Sequence, residues 1–216
     1  MYSPKHKALF VHIPKTGGQS VETVFLQDLN LTWQERDALL LRPSKRRDGP
    51  ERLAHLYAEE YVRLGYLTQS EFDAAYRFSI VRHPFSRMVS EYRYRADSAE
   101  RRKKQGKRAH LPDFDRFIRR EFEDDHSDMA RHLAPQVSYL LDENGHLLVE
   151  NVMRLETLNT EIEPVLRRIF GRTVDLPHRN ASVGYSDISV ERLSLDQKAF
   201  LFQKYQDDFE AFGYER

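Results

Sequence analysis

The sequence predicts an α/β fold with a mainly parallel central sheet, and three observations carry that prediction. Apolar runs of strand length recur at 8–13, 76–81 and 151–155. Segments with helical spacing of apolar residues separate them. The turn after the first run holds a glycine pair, Gly17-Gly18, which suits a tight strand-to-helix connection.

The first run, Ala8 to Ile13, reads as a buried strand ending at Pro14. A helix is expected from Gln19 to Leu29, with Val21, Val24, Phe25 and Leu29 on one face. Arg42 to Pro50 reads as a loop by its charge, Gly and prolines. Glu51 to Leu64 is expected to be helical with Gly65 as its stop, and Thr68 to Ala75 forms a shorter helical piece with Ser70 as a candidate cap. Tyr76 to Val81 is the second strand. Pro84 ends it, and a helix runs from Ser86 to about Ala99. The run Arg101 to Arg108 reads as a solvated helix end or loop; attraction of an acidic polysaccharide is the alternative. Leu111 to Phe122 has helical spacing, with Phe114, Phe117, Ile118 and Phe122 as core candidates. A third strand is expected over Asn151 to Leu155, and a helix from Glu161 to Phe170 stopped by Gly171. Leu176 to Asp187 reads as a loop, and Val190 to Phe212 as one or two closing helices.

A chain of 216 residues, 40% of them hydrophobic, can bury a core, and a single domain over 1–216 is expected. The 34 basic and 34 acidic residues cancel, so no global field draws the protein to nucleic acid or to a membrane. Any anion must be held by local arrangement. There are no cysteines, which excludes disulfides and thiolate metal sites and fits a cytoplasmic protein. The first apolar run is too short to span a bilayer and lacks a small-residue cleavage site, so neither a membrane anchor nor a signal peptide is expected.

Two segments carry chemistry. His12-Ile13-Pro14-Lys15-Thr16-Gly17-Gly18-Gln19-Ser20 lies between a strand and a helix. Helix N-termini leave N–H groups unpaired and carry partial positive charge, and glycines let the backbone approach an anion. Lys15 adds a full charge; Thr16 and Ser20 add hydroxyls. The Lys precedes the glycines, and no Lys-Ser/Thr pair opens the helix to hold Mg²⁺, so the loop suits a phosphate or sulfate ester better than Mg–ATP. The second segment, Arg82-His83-Pro84-Phe85-Ser86-Arg87-Met88-Val89-Ser90, follows the second strand. Arg82 stands at a strand's carboxyl end, where open α/β sheets bind ligands. Arg87 and Ser90, three apart, share a helix face. Taken singly, each segment is equally well explained without a ligand: glycines for backbone reasons in the first, a solvated strand end and helix surface in the second.

Together and in this order, the two segments resemble the signatures of sulfotransferases that use 3′-phosphoadenosine-5′-phosphosulfate (PAPS). The first resembles the 5′-phosphosulfate loop, and the second the 3′-phosphate element Arg-x-Pro-x-x-Arg-x-x-Ser-x-Tyr. The branch resembled most contains the heparan sulfate and uronyl 2-O-sulfotransferases and their soluble bacterial relatives. His132-x-x-Pro135-Gln136, Arg154-Leu155-Glu156, Leu176-Pro177-His178-x-Asn180-x-Ser182 and Phe212-Gly213-Tyr214 extend the resemblance over nearly the whole chain. It implies a P-loop-like three-layer fold, PAPS as co-substrate, no metal, and a hydroxyl acceptor of oligo- or polysaccharide type. It implies that Lys15, Thr16, Gly17, Gly18, Gln19 and Ser20 wrap the 5′-phosphosulfate while Arg82 and Ser90 hold the 3′-phosphate. Among nine histidines, His55 matches the relatives' catalytic histidine, although their His-x-His pair has Leu53 as its first member here. His55 is therefore the expected general base, and Lys15 the expected stabiliser of the leaving oxygen. His12 and His83 are expected to be structural; His132 and Gln136 are candidates for the acceptor pocket, and Asn180 and Ser182 for a loop over the nucleotide. A nucleotide-dependent kinase and a non-catalytic nucleotide-binding module remain the rival readings.

Overall fold

The computed structural model describes residues 1–177 and 186–216. Asn180 and Ser182 lie outside the described residues. Among the described residues four strands form one sheet: β1 (Tyr2–Ser3), β2 (Ala8–Val11), β3 (Tyr76–Val81) and β4 (Asn151–Arg154), in the order β1-β2-β3-β4. β1 pairs antiparallel with β2; β2 with β3 and β3 with β4 are parallel. The α-helices among the described residues are α1 (Gly18–Asp28), α2 (Glu60–Arg63), α3 (Gln69–Ala74), α4 (Pro84–Lys104), α5 (Phe114–Ile118), α6 (Asp128–Leu133), α7 (Val137–Leu140), α8 (Leu158–Phe170), α9 (Leu195–Lys204) and α10 (Gln206–Phe212). The fold is the expected α/β class.

The chain forms two compact units. Met1–Val81 with Asp124–Arg179 makes the first, and Arg82–Glu123 with Asn180–Arg216 the second. The first unit holds the sheet. Ala8 and Phe10 of β2, Phe78 and Ile80 of β3 and Met153 of β4 project to one face at period two, and Val21, Phe25, Ile162 and Leu166 from α1 and α8 complete that core. All four β2 residues are buried, which explains why this strand reads as an unbroken apolar run. In the second unit Phe85, Met88, Phe117, Leu201, Tyr205 and Phe209 are buried, and the Tyr205 hydroxyl lies 3.0 Å from the Met88 sulfur.

The strand expectations match within a residue or two; the helix expectations between them need correction. The expected helix over Glu51 to Leu64 is broken into a 3₁₀ turn at Leu53–His55 and α2. Between them Leu56 is extended and fully buried, and the Ala58 N–H donates to the Tyr139 carbonyl at 2.8 Å. Burial of Leu56 and a distant backbone partner outweigh local helix propensity. Gly65, at φ 71, does mark the stop. The cap of α3 is Thr68 rather than Ser70: its hydroxyl accepts from the Glu71 N–H at 3.2 Å, and the Glu71 carboxylate accepts from the Thr68 N–H at 2.8 Å. α4 runs further than expected at both ends, from Pro84 at its first position to Lys104, before Gly106 at φ 73. α5 is much shorter than Leu111 to Phe122. Asp113 caps its start, accepting from the Arg116 N–H at 2.9 Å, and the Lys204 ammonium takes up the Ile118 carbonyl at 2.9 Å.

Candidate active site

The first unit builds its loop from the sheet upward. The chain leaves β2 beside Ser79 of β3, whose buried hydroxyl donates to the Val11 carbonyl at 2.7 Å. That bond satisfies the strand's last carbonyl and releases the chain into the turn. The Thr16 hydroxyl, fully buried, donates to the Ile13 carbonyl at 2.8 Å and closes the loop on itself. Lys15 at φ 71 and Gly17 at φ 87 are both left-handed. For lysine that conformation costs about 1–3 kcal/mol, and such strain concentrates at ligand clamps. α1 then opens with Gly17 as its cap, no acidic residue in its first turn and no side chain capping it. Its N-terminus therefore presents partial positive charge to the loop. Ser20 is buried, Lys15 and Gly17 half-buried, and Gln19 exposed.

Gly18 answers to a neighbour rather than to its own backbone. A methyl group there would lie 2.2 Å from the Cδ2 atom of His12. His12 is itself buried, with Nδ1 2.7 Å from the Glu22 carboxylate of α1, so ring and glycine lock strand to helix. Gly18→Ala is expected to destabilise the protein by about 1–3 kcal/mol through this overlap. Thermal unfolding would check it; an unchanged midpoint would mean that the ring moves aside freely.

Three imidazoles stand in a row against this loop. His12 and His55 have ring centroids 5.1 Å apart, and His55 and His132 5.0 Å apart in a T-shaped arrangement. All three residues are buried. His55 Nδ1 lies 3.4 Å from the His12 carbonyl oxygen. His132 Nε2 lies 3.6 Å from Asp128 Oδ1, one turn earlier on α6, and Arg52 Nε is 3.1 Å from the same oxygen. Burial, and then the neighbouring rings of His132 and His12, hold the His55 pKa well below its ordinary value. At neutral pH His55 is thus an uncharged imidazole with one lone pair to offer.

A buried ion pair supports the row from below. Arg131 makes a two-pronged contact with Glu60, Nη1 to Oε2 at 2.9 Å and Nη2 to Oε1 at 2.8 Å, both residues about 1% exposed. The Arg131 guanidinium lies 3.6 Å from the Tyr57 ring centroid, and its Nη1 reaches the His55 carbonyl at 3.5 Å. Burial works against the Arg131 charge, but the Glu60 hydrogen bonds and the surrounding charges outweigh it, so its pKa rises. Burial also pushes the Tyr57 pKa up strongly, so this phenol is neutral.

A family model described as the sulfotransferase family matches residues 1–215, across both units. The chain belongs to the sulfotransferase family. That family includes carbohydrate sulfotransferases, and the four-stranded, mostly parallel sheet agrees with its P-loop-like fold. Comparison with curated proteins and with solved structures returned no match. Among the described residues of this sulfotransferase, no helix is long and apolar enough to cross a membrane.

The predicted site residues divide between the units. Lys15 to Ser20 and His55 lie in the first, where the His55 ring faces His12 of the loop. Arg82 and Ser90 lie in the second, Arg82 just beyond β3 and Ser90 in the second turn of α4, both half-buried. Arg87 is fully buried and stacks over the Tyr205 ring at 5.3 Å, so the signature's second arginine is part of that unit's core. His83 caps α4, accepting from the Phe85 N–H at 3.3 Å, and packs against Phe209 and Tyr214. Gln136 is fully buried at the start of α7. Sequence reasoning missed Glu22, Glu60, Asp128 and Arg131. Only Asp128 left a trace, as the residue four before His132 and so on the same helix face.

Proposed function

We propose that this sulfotransferase uses PAPS as donor and transfers its sulfuryl group to a carbohydrate hydroxyl. The observation that carries the reading is the strained, glycine-dependent loop at the start of α1 with a neutral, buried histidine packed against its strand. Lys15, Thr16, Gly17, Gly18, Gln19 and Ser20 take the 5′-phosphosulfate through N–H groups, the Ser20 hydroxyl and the lysine charge, the Thr16 hydroxyl being committed to the Ile13 carbonyl. Arg82 and Ser90 take the 3′-phosphate, which distinguishes PAPS from ATP. The carbohydrate acceptor follows from the branch that the two signatures resemble.

In the reaction the acceptor oxygen attacks sulfur in line. The new O–S bond forms as the bond from sulfur to the bridging oxygen breaks, and 3′-phosphoadenosine-5′-phosphate departs with that electron pair. Lys15 stabilises the negative charge developing on the bridging oxygen. His55 accepts the acceptor's hydroxyl proton on its free ring nitrogen. Metal is not needed to hold the phosphates in this scheme, because backbone N–H groups and the two cationic side chains serve instead.

Incubation with PAPS and a set of oligosaccharides, followed by mass spectrometry, tests the reading; a product heavier by one sulfuryl group is expected. Tight binding of Mg–ATP with no affinity for 3′-phosphoadenosine-5′-phosphate would instead favour a kinase. The Arg82→Ala variant is expected to bind 3′-phosphoadenosine-5′-phosphate about 10- to 100-fold more weakly, the loss of charge-assisted hydrogen bonds to one phosphate. Its affinity for adenosine 5′-phosphosulfate, which lacks the 3′ group, should stay nearly constant in calorimetry.

A further inference from the structure

The geometry points to a binding site for a divalent transition cation, Zn²⁺ or Co²⁺ in kind, formed by His55, His132 and Asp128, whose occupation shuts the enzyme off. One donor atom from each of the three residues lies within 4.8 Å of the other two. Two come from one face of α6, at positions four apart, and the third from the 3₁₀ turn at Leu53–His55. The 3.6 Å between His132 Nε2 and Asp128 Oδ1 is close to the separation of about 3.3 Å between tetrahedral ligands at ordinary Zn–N and Zn–O bond lengths. Movements of less than about 1 Å would bring all three donors onto one ion.

The donor set selects the cation. Two imidazoles and one carboxylate suit Zn²⁺, Co²⁺ and their neighbours, whereas Mg²⁺ and Ca²⁺ prefer all-oxygen shells. The surroundings resemble those of ligating histidines elsewhere. His55 Nδ1 faces a backbone carbonyl, that of His12, which leaves Nε2 for an ion. Charged groups near the cluster include Arg52, on Asp128; Glu51, whose carboxylate accepts from the Asp128 N–H at 3.1 Å; the Arg131–Glu60 pair, with Asp125 also on Arg131; and Glu22 beyond His12. Arg131 is already neutralised by Glu60. Arg52 competes for Asp128, and its side chain is 58% exposed, so it can swing into water at little cost.

Inhibition follows because the same lone pair of His55 cannot hold both a cation and the acceptor's proton. This consequence rests on the proposed role of His55 as base; the binding itself does not. The test is titration of the full chain with Co²⁺, read by its visible d–d absorption, followed by displacement with Zn²⁺. One equivalent should bind to the unaltered protein. Asp128→Asn and His132→Gln should each weaken binding at least about 100-fold, beyond the 10- to 100-fold typical of outer-sphere changes, while thermal unfolding confirms that each variant is folded. Zn²⁺ should abolish sulfuryl transfer, chelation should restore it, and Mg²⁺ should do neither. A titration with no Co²⁺ band, or one identical in both folded variants, overturns the site. Stoichiometric binding with turnover unaffected overturns the shut-off and removes His55 as base. Absence of any sulfuryl transfer leaves the Co²⁺ readout standing, so the two readings fail separately.

Discussion

His55→Ala is expected to lower turnover by about 100- to 10,000-fold, the usual contribution of a positioned general base. Affinity for 3′-phosphoadenosine-5′-phosphate should be nearly unchanged. The reason for the split lies in where the ring sits. His55 meets the loop through the carbonyl and ring of His12, and the Thr16 to Ile13 and His12 to Glu22 bonds that shape the loop do not involve it. Calorimetry with the nucleotide and initial rates at saturating acceptor would measure the two quantities. Because the residue is buried, the unfolding midpoint of the variant should be recorded alongside. A folded variant with near-normal rate would remove His55 from the chemistry.

Glu60→Gln is expected to destabilise the protein by about 3–5 kcal/mol, the cost of leaving a buried charge without its counter-ion. For a chain of this size that corresponds to a fall in Tm of roughly 6–20 °C. Arg131 cannot carry its charge into water, being about 1% exposed, and the acidic contact left to it, Asp125 Oδ1, is longer at 3.4 Å and belongs to a solvent-exposed side chain. The double variant Glu60→Leu with Arg131→Met should recover most of the loss, since removing both partners restores a neutral interior. It should nonetheless be less active than its stability suggests, because Arg131 also reaches the His55 carbonyl and lies one residue before His132. If Glu60→Gln shifts Tm by no more than a typical surface change, the pair is not the support described above.

Parts of the site were legible because local physics forces the residue type. Gly17 must take a left-handed conformation, and Lys15 and the hydroxyls stand within one turn of a helix N-terminus, so strand, turn and helix could be read together. In the second signature the helical spacing of Arg87 and Ser90 was legible, but not that Arg87 is packed wholly into the core with its guanidinium over the Tyr205 ring. The break at Leu56 was illegible because its cause, the Tyr139 carbonyl bonded to Ala58, lies on α7, far along the chain.

Apolar runs, glycine placement and the two anion signatures were enough, with no coordinates, to point to the α/β class, to the three parallel strands within a residue or two and to the sulfotransferase family, but not to the antiparallel edge strand β1. Each of these depends on neighbours within a few residues, where period and backbone sterics leave little choice. The row His12–His55–His132, the Asp128 beside it and the Arg131–Glu60 pair under it depended on the tertiary structure alone. Those side chains meet only when β2, the 3₁₀ turn before α2, and α6 are brought together by burial, and burial is a property of the packed whole rather than of any stretch of sequence.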